Sequence, residues 1–220
     1  MKTNTDFLKN DRLSLSKSIV QCPLDKTQYF QEKYSKRQIV IHHTASNGNG
    51  KNVITYWNKN SERIGVAFVI DREGIIYQTF SSSHWAHHLG THELNNTLLN
   101  KQSIGIEICN WGPLKLQKSK YVNYLNQEIP LEEVYVYDSP FRGSFYYQKY
   151  TDKQLESLTS LINYLAETYN IPKDYKKDMW DISRSALSGN PGIYTHVSFR
   201  KDKSDCHPQE ELIELFSKLI

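Results

Sequence analysis

Short buried runs and helical repeats of hydrophobic residues alternate along the chain. "RQIVIHHTA", residues 37–45, is rich in β-branched residues and predicts a buried strand. "GVAFVIDREGIIYQTF", residues 65–80, predicts a hairpin with an Asp-Arg-Glu-Gly turn, and "SIGIEIC", residues 103–109, predicts another strand. Because strands and helices mix without strict βαβ alternation, the pattern predicts a single-domain α/β fold in which α-helices flank a mixed central β-sheet.

The clearest helical pattern covers "TDKQLESLTSLINYLAETYN", residues 151–170. Its apolar residues recur at helical spacing, and Thr151 and Gln154 have the pattern of a capping box. Shorter helices are predicted over residues 50–60, over residues 178–188, and from near Pro208 to the C-terminus.

The chain is predicted to consist of an N-terminal arm and one domain. Residues 1–36 are polar and irregular, and the domain is expected to span residues 37–220. Residues 111–150 are rich in Tyr, Pro and Gly and are predicted to be an insertion with one β-ribbon of its own. A chain of 220 residues can form one sizeable core, whereas two domains would each be small.

Composition and charge exclude several classes of protein. The net charge is only +3, whereas a dedicated nucleic-acid binder usually has a larger and more clustered excess, so no nucleic-acid partner is expected. No apolar run approaches the roughly 20 residues that span a bilayer, and the first 20 residues contain no apolar stretch typical of a secretory signal. Three scattered cysteines are too few for a disulfide framework. We therefore expect a monomer that is synthesised in a reducing cytoplasm and does not insert into a membrane.

Two predicted strands carry polar side chains that could take part in chemistry. Side chains alternate across a strand, so His42 and His43 face opposite ways and at most one is expected to join a given site. In "SIGIEI", Glu107 shares a face with Gly105, and a carboxylate there is costly unless that face is wet or charged. The alternatives are two structural histidines and a solvated sheet face.

The segment "GIYTHVSFRKDKSDCHP", residues 192–208, is the densest in groups that bind metals. His196 follows a short predicted strand, and Asp205 and Cys206 come nine and ten residues later. The spacing lacks the tight ligand pairs of a structural zinc finger but fits a catalytic site with three protein ligands and one open position. A basic surface loop is the alternative, because cationic residues cluster here.

Five strings occur in the order seen in zinc-dependent N-acetylmuramoyl-L-alanine amidases, and the chain resembles that family over about residues 37–110 and 150–220. The family includes phage endolysins, wall-recycling amidases and peptidoglycan recognition proteins. The strings are "IVIHHTA", "GVAFVIDREGIIYQ", "WAHHLG", "SIGIEI" and "THVSFRKDKSD". As a set they are specific, although none of them would be alone.

The resemblance implies one Zn²⁺ per chain and a role for each matched residue. The metal ligands match His42, His196 and Asp205, and the catalytic glutamate matches Glu107. Lys203 matches a lysine that stabilises the tetrahedral intermediate. Relatives use Asp or Cys as the third ligand. Asp205 is favoured over Cys206 because it follows K-x in the matched motif, and His207 is interpreted as the start of the last helix.

The resemblance also implies the residues that line the substrate cleft. The histidine of the family string A-W-H-A-G matches His87, although the tryptophan of "WAHHLG" stands one position early, which leaves His88 as the alternative. Trp85 and Trp111 are expected to contact substrate, the latter from an insertion that forms one wall of the cleft. Some members carry a tyrosine at the position of Val66, so the catalytic glutamate and lysine are expected to carry more of the chemistry here.

The implied activity is hydrolysis of the amide bond between N-acetylmuramic acid and the L-alanine of the stem peptide. The alternatives are a recognition module that binds peptidoglycan without cleaving it and a zinc-stabilised structural domain. The presence of all three ligands and the glutamate favours the enzyme. A phage endolysin that reaches the wall through a membrane pore is favoured over a cytoplasmic recycling enzyme or an exported toxin.

Overall fold

The computed structural model describes residues 18–46, 49–59 and 62–219. It confirms the predicted α/β fold with a mixed central sheet and flanking helices. The strands are β1 (Val20–Gln21), β2 (Gln38–His43), β3 (Phe68–Ile70), β4 (Ile76–Gln78), β5 (Ser103–Ile108), β6 (Pro113–Gln117), β7 (Lys120–Val122), β8 (Glu128–Ile129), β9 (Val134–Phe141), β10 (Ser144–Gln148) and β11 (Gly192–Thr195). The α-helices are α1 (Gly50–Trp57), α2 (Asn96–Gln102), α3 (Asp152–Tyr169), α4 (Arg184–Leu187) and α5 (Glu210–Lys218).

The central sheet has six strands in the order β1–β4–β3–β5–β2–β11. Strands β5, β2 and β11 run parallel, whereas β3 and β4 form the predicted antiparallel hairpin. Strand β2 is buried along its whole length, because strands cover both of its edges and packed side chains cover both of its faces. The parallel register sets His42 beside Glu107, so these two side chains share one face of the sheet.

Helix α3 is the main cover of the sheet and packs against β2, β3 and α5. It begins with the predicted capping box, in which Thr151 and Gln154 each accept a hydrogen bond from the other's backbone N–H. It ends at Asn170 in the left-handed conformation. Four of its buried aliphatic residues, each contributing about 1.5–3 kcal/mol by burial, are Leu158, Leu161, Ile162 and Leu165. Among the helices of the described residues, none is long and apolar enough to cross a membrane.

The segment between β5 and α3 forms a second sheet of five antiparallel strands, in the order β8–β7–β6–β10–β9. It is larger than the single ribbon predicted. The sheet has a small core of its own, made of Trp111, Leu114, Ile129 and Val134, against which Tyr121 and Tyr146 pack. The side chains of this core are therefore supported independently of the central sheet.

The described part of the N-terminal arm, residues 18–36, packs against the rest of the protein. Strand β1 pairs with β4 at one edge of the central sheet, and Leu24 is buried in the main core. The Lys36 ammonium donates to three backbone carbonyls, those of His84, Lys101 and Ser103, at 2.7, 2.7 and 3.0 Å. The rest of the predicted arm, residues 1–17, lies outside the described residues.

Candidate active site

Three polar side chains that are distant in sequence meet at one edge of the central sheet. Strands β2 and β11 are parallel neighbours, so their C-terminal ends lie together, and these ends carry His42 and His196. The following loop returns Asp205 to the same edge, where its carbonyl accepts a hydrogen bond from the Val197 N–H at 3.0 Å. Asp205 Oδ2 lies 2.8 Å from His196 Nδ1 and 3.3 Å from His42 Nδ1. The three residues that the resemblance implied as ligands thus form one His–His–Asp group.

Burial sets the protonation states of the His–His–Asp group. Burial, together with the charge of His196, lowers the pKa of His42 to about 4, so the His42 imidazole is neutral at neutral pH. Burial alone would raise the pKa of Asp205. The charge of His196 and hydrogen bonds from both histidines instead hold that pKa well below its usual range. A neutral imidazole and an ionised carboxylate are the forms that bind a metal.

The spacing of the His–His–Asp group fits a zinc ion. One ligand atom from each residue lies within 4.8 Å of the other two. Zinc takes imidazole nitrogens and carboxylate oxygens at about 2.0–2.2 Å, so two ligands of one tetrahedral ion lie about 3.4 Å apart. The donor types and their separations are therefore compatible with one zinc ion.

Glu107 and Lys203 line the same cleft as the His–His–Asp group. Burial raises the pKa of the Glu107 carboxyl well above its usual range, and the charge of Asp205 adds to this effect, whereas Lys203 opposes it. A carboxyl group with a raised pKa can both take up and return a proton near neutral pH. Glu107 thus has the electrostatic setting of a general acid–base.

The cleft has a volume of about 550 Å³, within the range of small-molecule sites. Its lining combines the charged residues Arg200 and Asp202 with apolar surface from Trp57 and Pro113. Pro113 begins β6, so the inserted sheet contributes to the wall of the cleft. The insertion is also tied to the loop after β2, because the Tyr124 hydroxyl donates to the Ala45 carbonyl at 3.2 Å.

The three residues predicted to contact substrate occupy different settings. His87 lines the cleft. Trp85 is only 5% exposed and stacks on Phe30 with ring centroids 3.9 Å apart. Trp111 is 9% exposed and belongs to the core of the inserted sheet. Neither tryptophan is among the cleft-lining residues, so their burial favours a packing role, and substrate contact by them remains a prediction.

His88 was the alternative to His87 for the histidine of the family string A-W-H-A-G. Its Nδ1 lies 3.0 Å from His42 Nε2, on the side of the imidazole away from Asp205. Both His87 and His88 line the cleft, but their side chains point in different directions, and it is His88 that is hydrogen-bonded to His42. An alignment of "WAHHLG" with A-W-H-A-G on the glycine would have matched the family histidine to His88.

Cys206 and His207 point away from the His–His–Asp group. Cys206 is fully buried in the main core, and its thiol is hydrogen-bonded with Tyr150. His207 was expected to start the last helix, but helix α5 begins at Glu210. The His207 ring is stacked between Tyr147 and Tyr150 at centroid distances of 4.5 and 4.6 Å. His207 therefore anchors the loop that carries Asp205 to the end of the inserted sheet.

The fold is shared with solved amidase and endolysin structures. The structure of PlyL aligns with a TM-score of 0.54 and 14% identity over 92% of this chain and 98% of that chain. The amidase LysC from Clostridium intestinale aligns with a TM-score of 0.53 and 18% identity, covering 91% and 96% of the two chains. A mutant endolysin from Bacillus subtilis gives 0.54 and 16%, covering 91% and 97%. A search of curated proteins returned no match.

A family match over most of the chain places the protein in the amidase class of hydrolases. Residues 32–208, more than half of the chain, match the family described as N-acetylmuramoyl-L-alanine amidase. The chain belongs to the N-acetylmuramoyl-L-alanine amidase family and is an enzyme with that activity.

Proposed function

We propose that the protein is a zinc-dependent lytic amidase that separates N-acetylmuramic acid from the L-alanine of peptidoglycan stem peptides. The observation that carries this proposal is the meeting of the His–His–Asp group and Glu107 in one cleft. His42, His196 and Asp205 would hold the zinc ion. When bound, zinc supplies a Lewis acid that lowers the pKa of a water molecule from 15.7 to about 7.

Glu107 acts as the general base and then as the general acid. Its carboxylate takes a proton from the water that attacks the lactyl carbonyl of N-acetylmuramic acid, and the protonated carboxyl returns that proton to the amine of L-alanine. The raised pKa of the Glu107 carboxyl supports both steps, because a more basic carboxylate takes up the proton more readily and holds it for delivery to the leaving amine.

Lys203 stabilises the negative charge that develops on the attacked carbonyl oxygen. Lys203 lines the cleft that Glu107 also lines, and its charge opposes the raised pKa of that carboxyl, which supports this role. Removing one such charge-stabilising donor typically costs about 10²–10³ in rate. Val66 offers no hydroxyl to share this task, so Lys203 carries it.

A recognition module that binds peptidoglycan without cleaving it is the second candidate function. A module that only binds would not need a carboxyl with a raised pKa next to three potential metal ligands. The lytic role, in contrast to recycling of soluble fragments, draws on the fold likeness to proteins described as endolysins. The two roles differ in substrate, since a lytic enzyme must cut intact sacculi.

Mass spectrometry of digests tests both parts of the proposal. Purified sacculi and soluble muropeptides are each incubated with the protein, with and without a zinc chelator. We expect intact sacculi to release stem peptides that begin with L-alanine, and we expect chelation to stop this release and added zinc to restore it. Cleavage of soluble fragments alone would exclude the lytic role, and full activity of protein shown to be metal-free would exclude the zinc mechanism.

The variant Glu107→Gln isolates the acid–base step. Gln is nearly isosteric but cannot take a proton, so we expect zinc and fold to be kept while turnover falls by about 10²–10⁴. The matched control is Glu93→Gln, at an exposed glutamate outside the cleft-lining residues. Turnover of Glu107→Gln near that of the control would assign the proton transfer to another group.

A further inference from the structure

We infer that His88 and Leu89 act together as an outer support that holds both histidine ligands with Nδ1 directed at the metal. The inference rests on the proposed zinc site. His88 contributes its side chain to His42, and Leu89 contributes its backbone carbonyl to His196. Two consecutive residues of one loop thereby orient both imidazoles, which makes His88 a positioning residue that does not itself bind metal.

The hydrogen bonds on the His42 side allow only one arrangement of protons when Nδ1 is the ligand atom. An Nδ1 that binds metal leaves the ring proton of His42 on Nε2, which then donates to His88 Nδ1 at 3.0 Å. His88 must carry its own proton on Nε2, which donates to Ser103 Oγ at 2.8 Å. The Ser103 hydroxyl donates onward to the Leu99 carbonyl at 2.7 Å. Each polar hydrogen in this series of hydrogen bonds has an acceptor.

For His196, a backbone carbonyl places the ring proton on Nε2 in the same way. His196 Nε2 lies 2.8 Å from the Leu89 carbonyl oxygen, which can only accept, so Nε2 carries a proton. Nδ1 is then left for the metal, next to Asp205 Oδ2 at 2.8 Å. Metal-binding histidines generally donate their other ring N–H in this way, and the partner fixes the tautomer and the ring orientation.

The outer support is itself fixed by helix α2. The Asn100 side-chain oxygen accepts hydrogen bonds from the N–H groups of both His88 and Leu89, at 2.8 and 3.2 Å. Its amide nitrogen donates to the Asn96 carbonyl at 2.8 Å. Asn100 is fully buried. Helix α2 leads directly into β5, so one helix–strand unit positions the outer support and the proposed base Glu107.

Zinc affinity measures the contribution of His88 directly. Loss of an outer partner of this kind typically weakens metal binding about 10–100-fold. In His88→Leu the acceptor for His42 Nε2–H disappears, whereas in His88→Asn the side-chain oxygen can take the place of Nδ1. Both variants lose the contact with Ser103. The difference between them therefore isolates the hydrogen bond to His42.

The experiment is a competition titration of each protein with zinc and a chromophoric chelator. We expect His88→Leu to bind zinc about 10–100-fold more weakly than wild type and His88→Asn to recover most of the loss. His92→Leu, the same change at an exposed histidine in the same loop, should leave the affinity unchanged. Equal affinities for wild type and His88→Leu would overturn the inference. A wild-type protein that binds no zinc would instead overturn the proposed function.

Imidazole nitrogen NMR of the zinc-loaded wild type supplies a test that no folding defect can obscure. His88 should show a proton on Nε2 and none on Nδ1. A His88 ring protonated on Nδ1 could not accept from His42, and that result would overturn the inference whatever the variants do.

Discussion

Asp205 and Cys206 are adjacent candidates for the third metal ligand, and paired alanine variants separate them. Asp205 Oδ2 lies within 3.3 Å of the facing Nδ1 atoms of both His42 and His196. The Cys206 thiol is paired with Tyr150 in the main core, and burial raises its pKa well above the usual range. A thiol held in its protonated form away from the histidines is poorly suited to bind metal. We therefore expect only Asp205→Ala to lose zinc.

The size of the effect follows from the number of ligands. Four-ligand structural zinc sites bind with about 10–16 kcal/mol at pH 7, or about 2.5–4 kcal/mol per ligand. Removing the Asp205 carboxylate should therefore weaken zinc binding by about 10²–10³-fold. Cys206→Ala removes one buried sulfur atom from the core and should cost on the order of 1 kcal/mol of stability with no change in zinc affinity.

Equilibrium dialysis followed by elemental analysis gives bound zinc per chain, and release of stem peptides from sacculi gives activity. Thermal unfolding of both variants controls for loss of fold. Asp205→Ala should lose both zinc and activity, and Cys206→Ala should keep both. If Cys206→Ala lost the metal while Asp205→Ala retained it, the assignment of the third ligand would be wrong by one residue.

Two further predictions concern stability. Burial lowers the pKa of Lys36 to about 7 from the 10.5 of an exposed lysine. Between pH 7 and pH 10.5 the unfolded chain therefore binds more protons than the folded protein, so stability rises with pH. Urea unfolding of the metal-free protein should give a free energy of unfolding about 3 kcal/mol higher at pH 10 than at pH 7. Lys36→Met should lack this rise, and parallel pH curves for the two proteins would contradict the reasoning. Tyr137→Phe removes the hydroxyl that donates to His207 Nδ1 at 2.9 Å. It should lower the unfolding free energy by about 1–3 kcal/mol because a buried acceptor loses its donor. Tyr56→Phe, at a tyrosine of helix α1 that is 69% exposed, serves as the control, and equal losses in the two variants would contradict the anchoring role of His207.

The central sheet was predictable because local patterns determine most of its strands, whereas the members of the His–His–Asp group came from the resemblance to the family. β-branched runs marked the strands, and the alternation of side chains separated His42 from His43. The structure bears this out, since His43 Nδ1 hydrogen-bonds to Tyr150 at 3.1 Å instead of joining the His–His–Asp group. The position of Asp205 did not follow from alternation, because it lies in a loop. It followed from the matched family motif.

The inserted sheet and the setting of His207 depend on contacts between distant residues. Strand pairing such as that of β6 with β10 joins residues about thirty positions apart, and no local period encodes it. His207 precedes a proline, which suggested a helix start, yet two tyrosines from the end of the insertion enclose its ring. Trp85 and Trp111 show the same limit of prediction from sequence. An aromatic residue next to a motif can pack in a core as readily as it can contact a sugar.

Gly105 lies against Val66, where some relatives carry a tyrosine, and against His88 of the outer support. A Cβ atom on Gly105 would lie 2.5 Å from Val66 Cγ1 and 3.1 Å from His88 Nδ1, so only glycine allows both residues to approach β5. Val66 and His88 thus share the space above the strand that carries Glu107. A side chain larger than valine at position 66 would compete with His88 for this space. Under the proposed mechanism, the valine that leaves room for His88 offers no hydroxyl to the reacting oxygen, so Lys203 is expected to supply the charge that stabilises it.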